Sequence, residues 1–319
     1  MQIEPDILNK ARSAILESGN ILIISHRNPD PDTIGSNLAL NIFLKSLQKK
    51  AVSVCLDPVP PACMFLPLSE SFTGTLNIQN VDLIITLDSS SIDQLGFPDL
   101  IKESIKNVRT LVIDHHATNK GYGDINLIIP AAASTTLVLY HLFNAIKPCK
   151  NADIATCLLC GLYSDTGSFM HSNTSEEAFL AASDLILNGA RKKQIIKNLY
   201  KSKSLEQLYL WGKIFSEVMV TQKDILVSAV KEEDYEKLNT DQQSLTGVVD
   251  YLNMIKDCKI TALLTEDGKG NIKGSLRTKR DDVDLTEIAK TLGGGGHTKA
   301  SGFTLTGHLK KEIHWKIVT

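Results

Sequence analysis

The chain alternates between short, continuously apolar runs and longer stretches whose apolar residues recur at helical spacing. Residues 20–25 (NILIIS) form one such run and stop at His26, and residues 33–47 (TIGSNLALNIFLKSL) follow with Ile34, Leu38, Leu40, Ile42 and Leu44 at helical positions. Strand, polar loop and helix then recur. Residues 51–56 (AVSVCL), 82–87 (DLIITL) and 109–113 (RTLVI) are strand-like and are separated by turn-rich or helical segments. Runs apolar at every position predict strands buried on both faces, and their alternation with helices predicts a parallel sheet in an α/β domain.

From residue 134 to 188 the periodicity is helical, with Asp165 in the break between stretches 153–163 and 175–188. A polar, Lys-rich helical region at 192–220 is expected to bridge to a second half. There the order is strand (225–230), helix, strand (259–264), strand (271–276), helix (285–292), glycine-rich loop and strand (301–305). The expected organisation is a parallel-sheet α/β domain over 1–190, a helical linker over 191–220 and a smaller α/β domain over 221–319, with the active site in the cleft between domains. Neither an internal repeat nor a low-complexity tract is visible.

Composition adds limits. At 319 residues, 43% hydrophobic and 22% charged, the chain can bury a core in each of two domains. Cys55, Cys63, Cys149, Cys157, Cys160 and Cys258 sit mostly in apolar stretches, and the first residues lack a basic, apolar, small-residue signal. Reduced thiols in a cytoplasmic protein are the expectation. No apolar run approaches the ~18 residues of a membrane span, so no membrane partner is expected. The net charge of −2 conceals an asymmetry: residues 1–190 carry 12 Lys and Arg against 19 Asp and Glu, and residues 191–319 carry 22 against 17. That division suits an acidic metal-binding half and a basic phosphate-gripping half.

The candidate chemistry lies where the apolar runs end. Four clusters occur in order: His26-x3-Asp30-x-Asp32, Asp88, Asp114-His115-His116 and Asp165-Thr166-Gly167. In open parallel sheets ligands bind beyond the carboxyl ends of the strands, and His26, Asp88 and Asp114 each fall just past one. Mixed imidazole and carboxylate donors move metal preference from magnesium toward manganese, and the lack of cysteine in the clusters argues against structural zinc. Two such metals ~3.5–4 Å apart stabilise the attacking and leaving oxygens of a phosphoryl displacement, so the implied chemistry is hydrolysis of a phosphate ester or anhydride. Each cluster alone has a plainer reading. The Asp-Pro loop is a turn former, Asp88 before three serines is a helix cap, and Asp165-Thr166-Gly167 is a loop. Four in sequence after strand ends favour a site.

These four clusters resemble the motifs of the DHH phosphoesterase superfamily, which includes RecJ-type exonucleases and family II pyrophosphatases. The resemblance implies one metal held by His26, Asp30 and Asp88 and a second held by Asp32, Asp88, His115 and Asp165, with Asp88 bridging. It implies further that His116 faces the substrate phosphate as an electrostatic or acid partner, and that Asp114 orients the histidines.

A second string, Gly293-Gly294-Gly295-Gly296-His297-Thr298-Lys299-Ala300-Ser301-Gly302-Phe303, leaves backbone N–H groups open to a phosphate. A glycine run alone is only a flexible turn, but His297, Lys299 and the nearby Arg277 favour anion binding. The string resembles the Gly-Gly-Gly-His segment of the DHH-associated C-terminal domain, and Gly274-Ser275-Leu276-Arg277 resembles the strand carrying that domain's substrate arginine. Ser301 stands where alanine is common in that family.

The compact two-domain form is similar to the nanoRNase and 3′-phosphoadenosine-5′-phosphate phosphatase group, which implies very short oligonucleotides and phosphorylated nucleotides as substrates. The near-neutral charge argues against tracking long or duplex nucleic acid. Turnover of cyclic dinucleotides, a RecJ-like single-strand exonuclease and a silent nucleotide-binding module are the alternatives, and a second copy of the chain is an open partner. Other features read as structural: Cys157-Leu158-Leu159-Cys160 as part of a buried helix, and His171, His141, His308 and His314 as isolated histidines. Residues 133–136 (ASTT) cap a helix whose N-terminus could face phosphate at the metal centre.

Overall fold

A computed structural model describes residues 3–148, 150–201 and 203–312, so expectations at Cys149 and His314 lie outside the described residues. The chain divides into two compact units, Met1–Ser202 and Lys203–Thr319.

The first unit contains α1 (Pro5–Glu17), β1 (Asn20–Ser25), α2 (Pro31–Ser46), β2 (Lys50–Val54), β3 (Leu83–Leu87), α3 (Pro98–Ser104), β4 (Arg109–Asp114), β5 (Ile125–Ile128), α4 (Thr135–Ile146), α5 (Ala152–Asp165), α6 (Glu176–Leu187) and α7 (Lys192–Tyr200). A proline begins each of α1, α2 and α3, where a missing N–H breaks no helical bond. The five strands form one parallel sheet in the order β2-β1-β3-β4-β5. Successive strand residues feed opposite faces, as a pleat requires. Ile21, Ile23, Leu83 and Ile85 join the core built with α1, α2, α4 and α5, whereas Leu22, Ile24 and Ile84 join a smaller one with Leu95 and Ile101. The expected parallel sheet covered on both faces is therefore present.

The ladder aligns Ser25 with Leu87, and Leu87 with Ile113. The next residues of the three adjacent strands, His26, Asp88 and Asp114, consequently leave the sheet at one level. Strand order reverses between β1 and β3, the place where open α/β sheets form their crevice. Asp32 and Asp165 are added by a close crossing of α2 and α5. A Cβ at Gly35 would stand 2.5 Å from the Cys157 carbonyl oxygen, and one at Gly161 would stand 2.4 Å from Asp32 Oδ1. Glycine at both positions lets the two helices approach.

The second unit runs α8 (Leu205–Ser216), β6 (Met219–Val220), β7 (Ile225–Val230), α9 (Glu232–Leu238), α10 (Val248–Leu252), β8 (Ile260–Glu266), β9 (Asn271–Arg277), α11 (Leu285–Thr291), β10 (Gly295–His297) and β11 (Ala300–Thr306). Its six-stranded sheet has the order β10-β11-β9-β8-β7-β6 and is antiparallel except between β7 and β8. One face packs Leu226, Val230 and Leu263 against Leu210, Trp211, Ile214 and Leu252, and the other packs Ala262 and Leu276 against Leu285. The Lys-rich region at 192–220 resolves into α7 in the first unit and α8 with β6 in the second.

Candidate metal centre and anion-binding strand

The centre is built at the ends of β1, β3 and β4. Asp88 has a left-handed backbone (φ 56°) and is almost fully buried. It caps no helix, because the short 3-10 turn that follows begins only after Ser91. Its Oδ2 accepts from the Thr33 hydroxyl at 2.6 Å and its Oδ1 from the Thr135 hydroxyl at 2.9 Å. His26 Nε2 lies 3.7 Å from Oδ2, and His115 Nε2 and His116 Nδ1 each lie 3.7 Å from Oδ1. Asp88 is thus the hub of the cluster.

Asp30 serves two ends. Its Oδ1 caps α2 by accepting from the Asp32 and Thr33 amides, each at 2.9 Å, and the residue still contributes to a group with His26 and Asp88 whose donor atoms lie within 4.8 Å of one another. Asp32, Asp88 and His115 form a second such group. His115 Nε2 also approaches Asp165 Oδ2 at 3.3 Å. Asp165 is the last residue of α5 rather than part of a loop. Beyond it Gly167, Ser168 and Phe169 are consecutively left-handed (φ 54°, 61° and 67°), a run that only a strongly determined turn sustains.

Asp114 shares its carboxylate among several donors. Oδ1 accepts from the His115 amide (2.8 Å), the His116 amide (3.2 Å) and His116 Nδ1 (2.7 Å), and Oδ2 accepts from Asn119 Nδ2 (2.7 Å). His116 is thereby anchored at Nδ1, which leaves Nε2 as its second functional nitrogen.

The N-terminus of α4 departs from expectation. Asp32 takes the Thr135 amide on Oδ2 (2.7 Å) and the Thr136 amide and hydroxyl on Oδ1 (3.1 and 2.7 Å). Those amides are spent on a buried carboxylate and are closed to a phosphate. Ser134 does cap the helix, accepting from the Leu137 amide at 3.1 Å.

Electrostatics follow from this crowding. Burial and the charges of Asp88 and Asp30 push the Asp32 carboxyl well above the usual range, and burial with Asp32, Asp30 and Asp88 does the same to Asp165. Burial also works against ionisation of Asp88, but His26 at 3.7 Å and the charges of His116 and His115 overcome it and hold that carboxyl low. For His26 burial is outweighed by the nearby Asp88 carboxylate, and for His116 by the bond to Asp114, and both rise to about 9. His115 is held low by burial. Several carboxylates converging in a largely buried site, with imidazoles between them, match the donor set of a divalent cation, which would neutralise the repulsion. The clustered residues can hold divalent metal ions.

In the second unit the β9, β11 and β10 registers place Arg277, Ala300 and His297 in one cross-strand row, so their side chains share a face. Arg277 Nε donates to Asp250 Oδ1 of α10 at 2.8 Å, and one terminal nitrogen donates to the Leu276 carbonyl at 3.1 Å. The glycines serve packing more than expected. The Gly293 and Gly294 amides close α11 on the Lys290 and Ala289 carbonyls. A Cβ at Gly294 would stand 2.0 Å from the Gly302 carbonyl oxygen, and one at Gly296 would stand 2.6 Å from that of Ala300. Gly295 faces open space. The expected loop is in fact strand β10 from Gly295 onward. Lys299 is engaged by the Arg280 carbonyl and by Asp281 Oδ1 at 2.9 Å.

Cys157 and Cys160 are buried in α5 as expected, and the five described cysteines are unpaired. His141 pairs with Glu177 at 2.8 Å, and His308 lies 3.8 Å from Glu266. His171 packs over Gly167 and bonds the Asp165 carbonyl at 3.2 Å, so it fixes the turn after Asp165. The sequence reading passed over Thr33, Asn119 and Gly161. Glycine inside an apolar helix was the available signal for Gly161, but nothing in the local pattern singles out Thr33 or Asn119.

A parallel α/β unit with acids and histidines at three adjacent strand ends, followed by a mixed-sheet unit, defines a class of phosphoesterases. The sequence matches the DHH family N-terminal domain over residues 20–162 and the DHHA1 domain over residues 222–315. The chain belongs to the DHH family, in its nanoRNase-like, RecJ-related group. Among its relatives is the bifunctional oligoribonuclease and PAP phosphatase NrnA of Thermus thermophilus, 31% identical over 291 residues, with 91% of this chain and 85% of the relative covered. The Bacillus subtilis protein of the same name is 26% identical, with 89% of each chain covered. The crystal structure of an exopolyphosphatase-related protein from Bacteroides fragilis superposes with a TM-score of 0.86 at 25% identity, covering 98% of this chain and 93% of that one.

Proposed function

We propose that the chain is a manganese-dependent phosphohydrolase that degrades very short oligonucleotides to mononucleotides and removes the 3′-phosphate of 3′-phosphoadenosine 5′-phosphate. The observation that carries this reading is the shared use of Asp88 by two donor groups, His26 with Asp30 and Asp32 with His115, in a chain similar along most of its length to NrnA proteins. His26, Asp30 and Asp88 would hold one ion, and Asp32, Asp88, His115 and Asp165 the other. Bound there, two divalent cations supply an activated water and neutralise charge developing on the phosphoryl group. The protein's own groups do the rest. Asp114 fixes His116 through Nδ1, so Nε2 serves the phosphoryl oxygens or the leaving oxygen as donor. Arg277, held edge-on by Asp250, and His297 bind a non-scissile phosphate, with Gly295 leaving space beside them. Gly294 and Gly296 shape that strand, and Lys299 acts through its ties to Arg280 and Asp281. Among the described residues no helix is long and apolar enough to cross a membrane, in keeping with a cytoplasmic enzyme of small nucleotides.

The test is a manganese-dependent hydrolysis panel of a dinucleotide, a long RNA, 3′-phosphoadenosine 5′-phosphate and cyclic di-AMP, with products separated by chromatography. Preferential loss of the dinucleotide and the bisphosphate, abolished by a chelator and restored by manganese better than by magnesium, is expected. Preference for the long RNA or the cyclic compound would move the chain to another branch of the family.

A further inference from the structure

Asn119 lies outside both donor groups of the centre, yet it touches the backbone and the carboxylate that shape them. The Asn119 amide closes a turn after β4 on the His116 carbonyl at 3.1 Å, which folds the side chain back toward the strand end. There it is buried, and its side-chain nitrogen donates to Asp114 Oδ2 at 2.7 Å and to the Ser89 carbonyl at 3.0 Å. Its Oδ1 accepts from the Gly121 amide at 2.9 Å. The inverse orientation would set an oxygen against two acceptors, so both side-chain hydrogens are committed. One planar group thus ties the carboxylate that holds His116 to the residue that follows Asp88. Asp88 needs such a tie, because a non-glycine residue keeps a left-handed backbone (φ 56°) only where its surroundings impose it. Donor atoms of Asp88, Asp114 and His116 lie within 4.8 Å of one another. At that spacing, a turn of the Asp114 carboxylate displaces His116 relative to Asp88.

We propose that Asn119 is a positioning residue for the hydrolysis, setting His116 against Asp88 through Asp114 and Ser89, a role that rests on the proposed function of His116 as donor to the leaving oxygen. In that step the P–O bond to the leaving group breaks and its electron pair stays with the leaving oxygen, which takes the Nε2 proton and departs as a hydroxyl. The oxygen of water joins phosphorus; one water proton restores Nε2 and the other passes to solvent. A sugar oxygen needs the Nε2 proton and a nitrophenolate does not, so a misplaced His116 penalises the first alone. The acceptors also limit what residue 119 can be. They require two N–H groups in one plane on a short side chain. Asp offers none and would set carboxylate against carboxylate, Ser offers one donor, and Ala leaves two buried acceptors without this partner. Tyr122 is a built-in contrast, since its hydroxyl reaches the same Ser89 carbonyl at 3.2 Å and the Thr86 hydroxyl at 2.9 Å rather than Asp114.

Steady-state kinetics of the full chain with manganese tests this on a dinucleotide and on the nitrophenyl ester of a nucleoside 5′-phosphate. Asn119→Ala should lower kcat for the dinucleotide ~10–100-fold, with KM moved less than ~3-fold and the nitrophenyl ester slowed far less. Asn119→Asp should be at least as slow, Asn119→Ser should fall between Asn119→Ala and the wild type, and Tyr122→Phe should keep the wild-type ratio of the two rates. His116→Gln should show the same selectivity, and adding Asn119→Ala to it should slow the dinucleotide reaction less than ~3-fold further. The ratio is internal to each preparation, so a loss of folded protein, which slows both esters alike, leaves it unmoved. Equal slowing of both esters by the Asn119 variants, with His116→Gln selective, overturns the positioning role alone. A His116→Gln variant that slows both alike overturns the donor role of His116 and the positioning role with it. Should the wild type spare the dinucleotide, the function proposed above fails, and the same ratio is read on whichever sugar ester of the panel it does cleave.

Discussion

The metal centre and the glycine strand use polar backbone groups in opposite ways. At the centre, amides and hydroxyls are aimed at carboxylates: α4 gives two amides and a hydroxyl to Asp32, and Thr33 and Thr135 give hydroxyls to Asp88. In the glycine strand the first amides are consumed in closing α11, and two glycines exist to let β10 lie against β11. The acidic cluster is held by donors that face inward, whereas the glycine strand is a shaped edge on which Arg277 and His297 share a face. A glycine run is therefore weaker testimony to anion binding than it looks, and a buried acid with three donors is stronger testimony to a built site.

The largest break in that comparison should come from Asp88→Asn. Loss of the carboxylate proposed as the shared ligand should cut hydrolysis by more than the ~10–100-fold typical of supporting residues around a metal, while the nucleotide binding proposed for the second unit should stay measurable by calorimetry. Unaltered turnover would remove Asp88 from the bridging role. Gly294→Ala should destabilise by about 3 kcal/mol, because its Cβ meets backbone that cannot turn aside, whereas Gly295→Ala should cost below about 0.5 kcal/mol. Denaturant titration of the pair separates packing glycines from open ones, and equal effects would void the distinction. Gly161→Ala should cost about 2 kcal/mol by forcing Asp32 and Thr136 away from α5. Its manganese affinity, read by calorimetry, should fall with its stability.

The smallest effect concerns Glu266. It accepts the Glu232 amide at 2.9 Å and the Leu309 amide at 2.7 Å, and although burial works against the charge, these bonds hold its carboxyl below the usual value. A depressed folded value means the contribution is full above the unfolded carboxyl range, near ~4.3, and is lost as pH falls through the lower folded value. The melting-temperature gap between the wild type and Glu266→Gln should therefore shrink on acidification. A gap that widens would reverse the assignment.

The sheet and the centre were legible because both depend on where apolar runs stop. Register then does the work that sequence leaves implicit, since three adjacent parallel strands ending level must deliver His26, Asp88 and Asp114 together. Strand β5, INLI, escaped because its four residues alternate in burial and present no run. Strand β10 escaped because glycine has no strand preference, and only its pairing with β11 makes it one. Thr135 and Thr136 were visible as a helix start, but their true partner, Asp32, lies 103 and 104 residues earlier. No local pattern announces a bond of that span.

The threonines and amides around Asp32 and Asp88 belong to the polypeptide, so the chain itself orients these two carboxylates. Stripping its ions should leave an inert but intact protein, and which ion it carries will follow the supply in its surroundings as much as the preference of its donors.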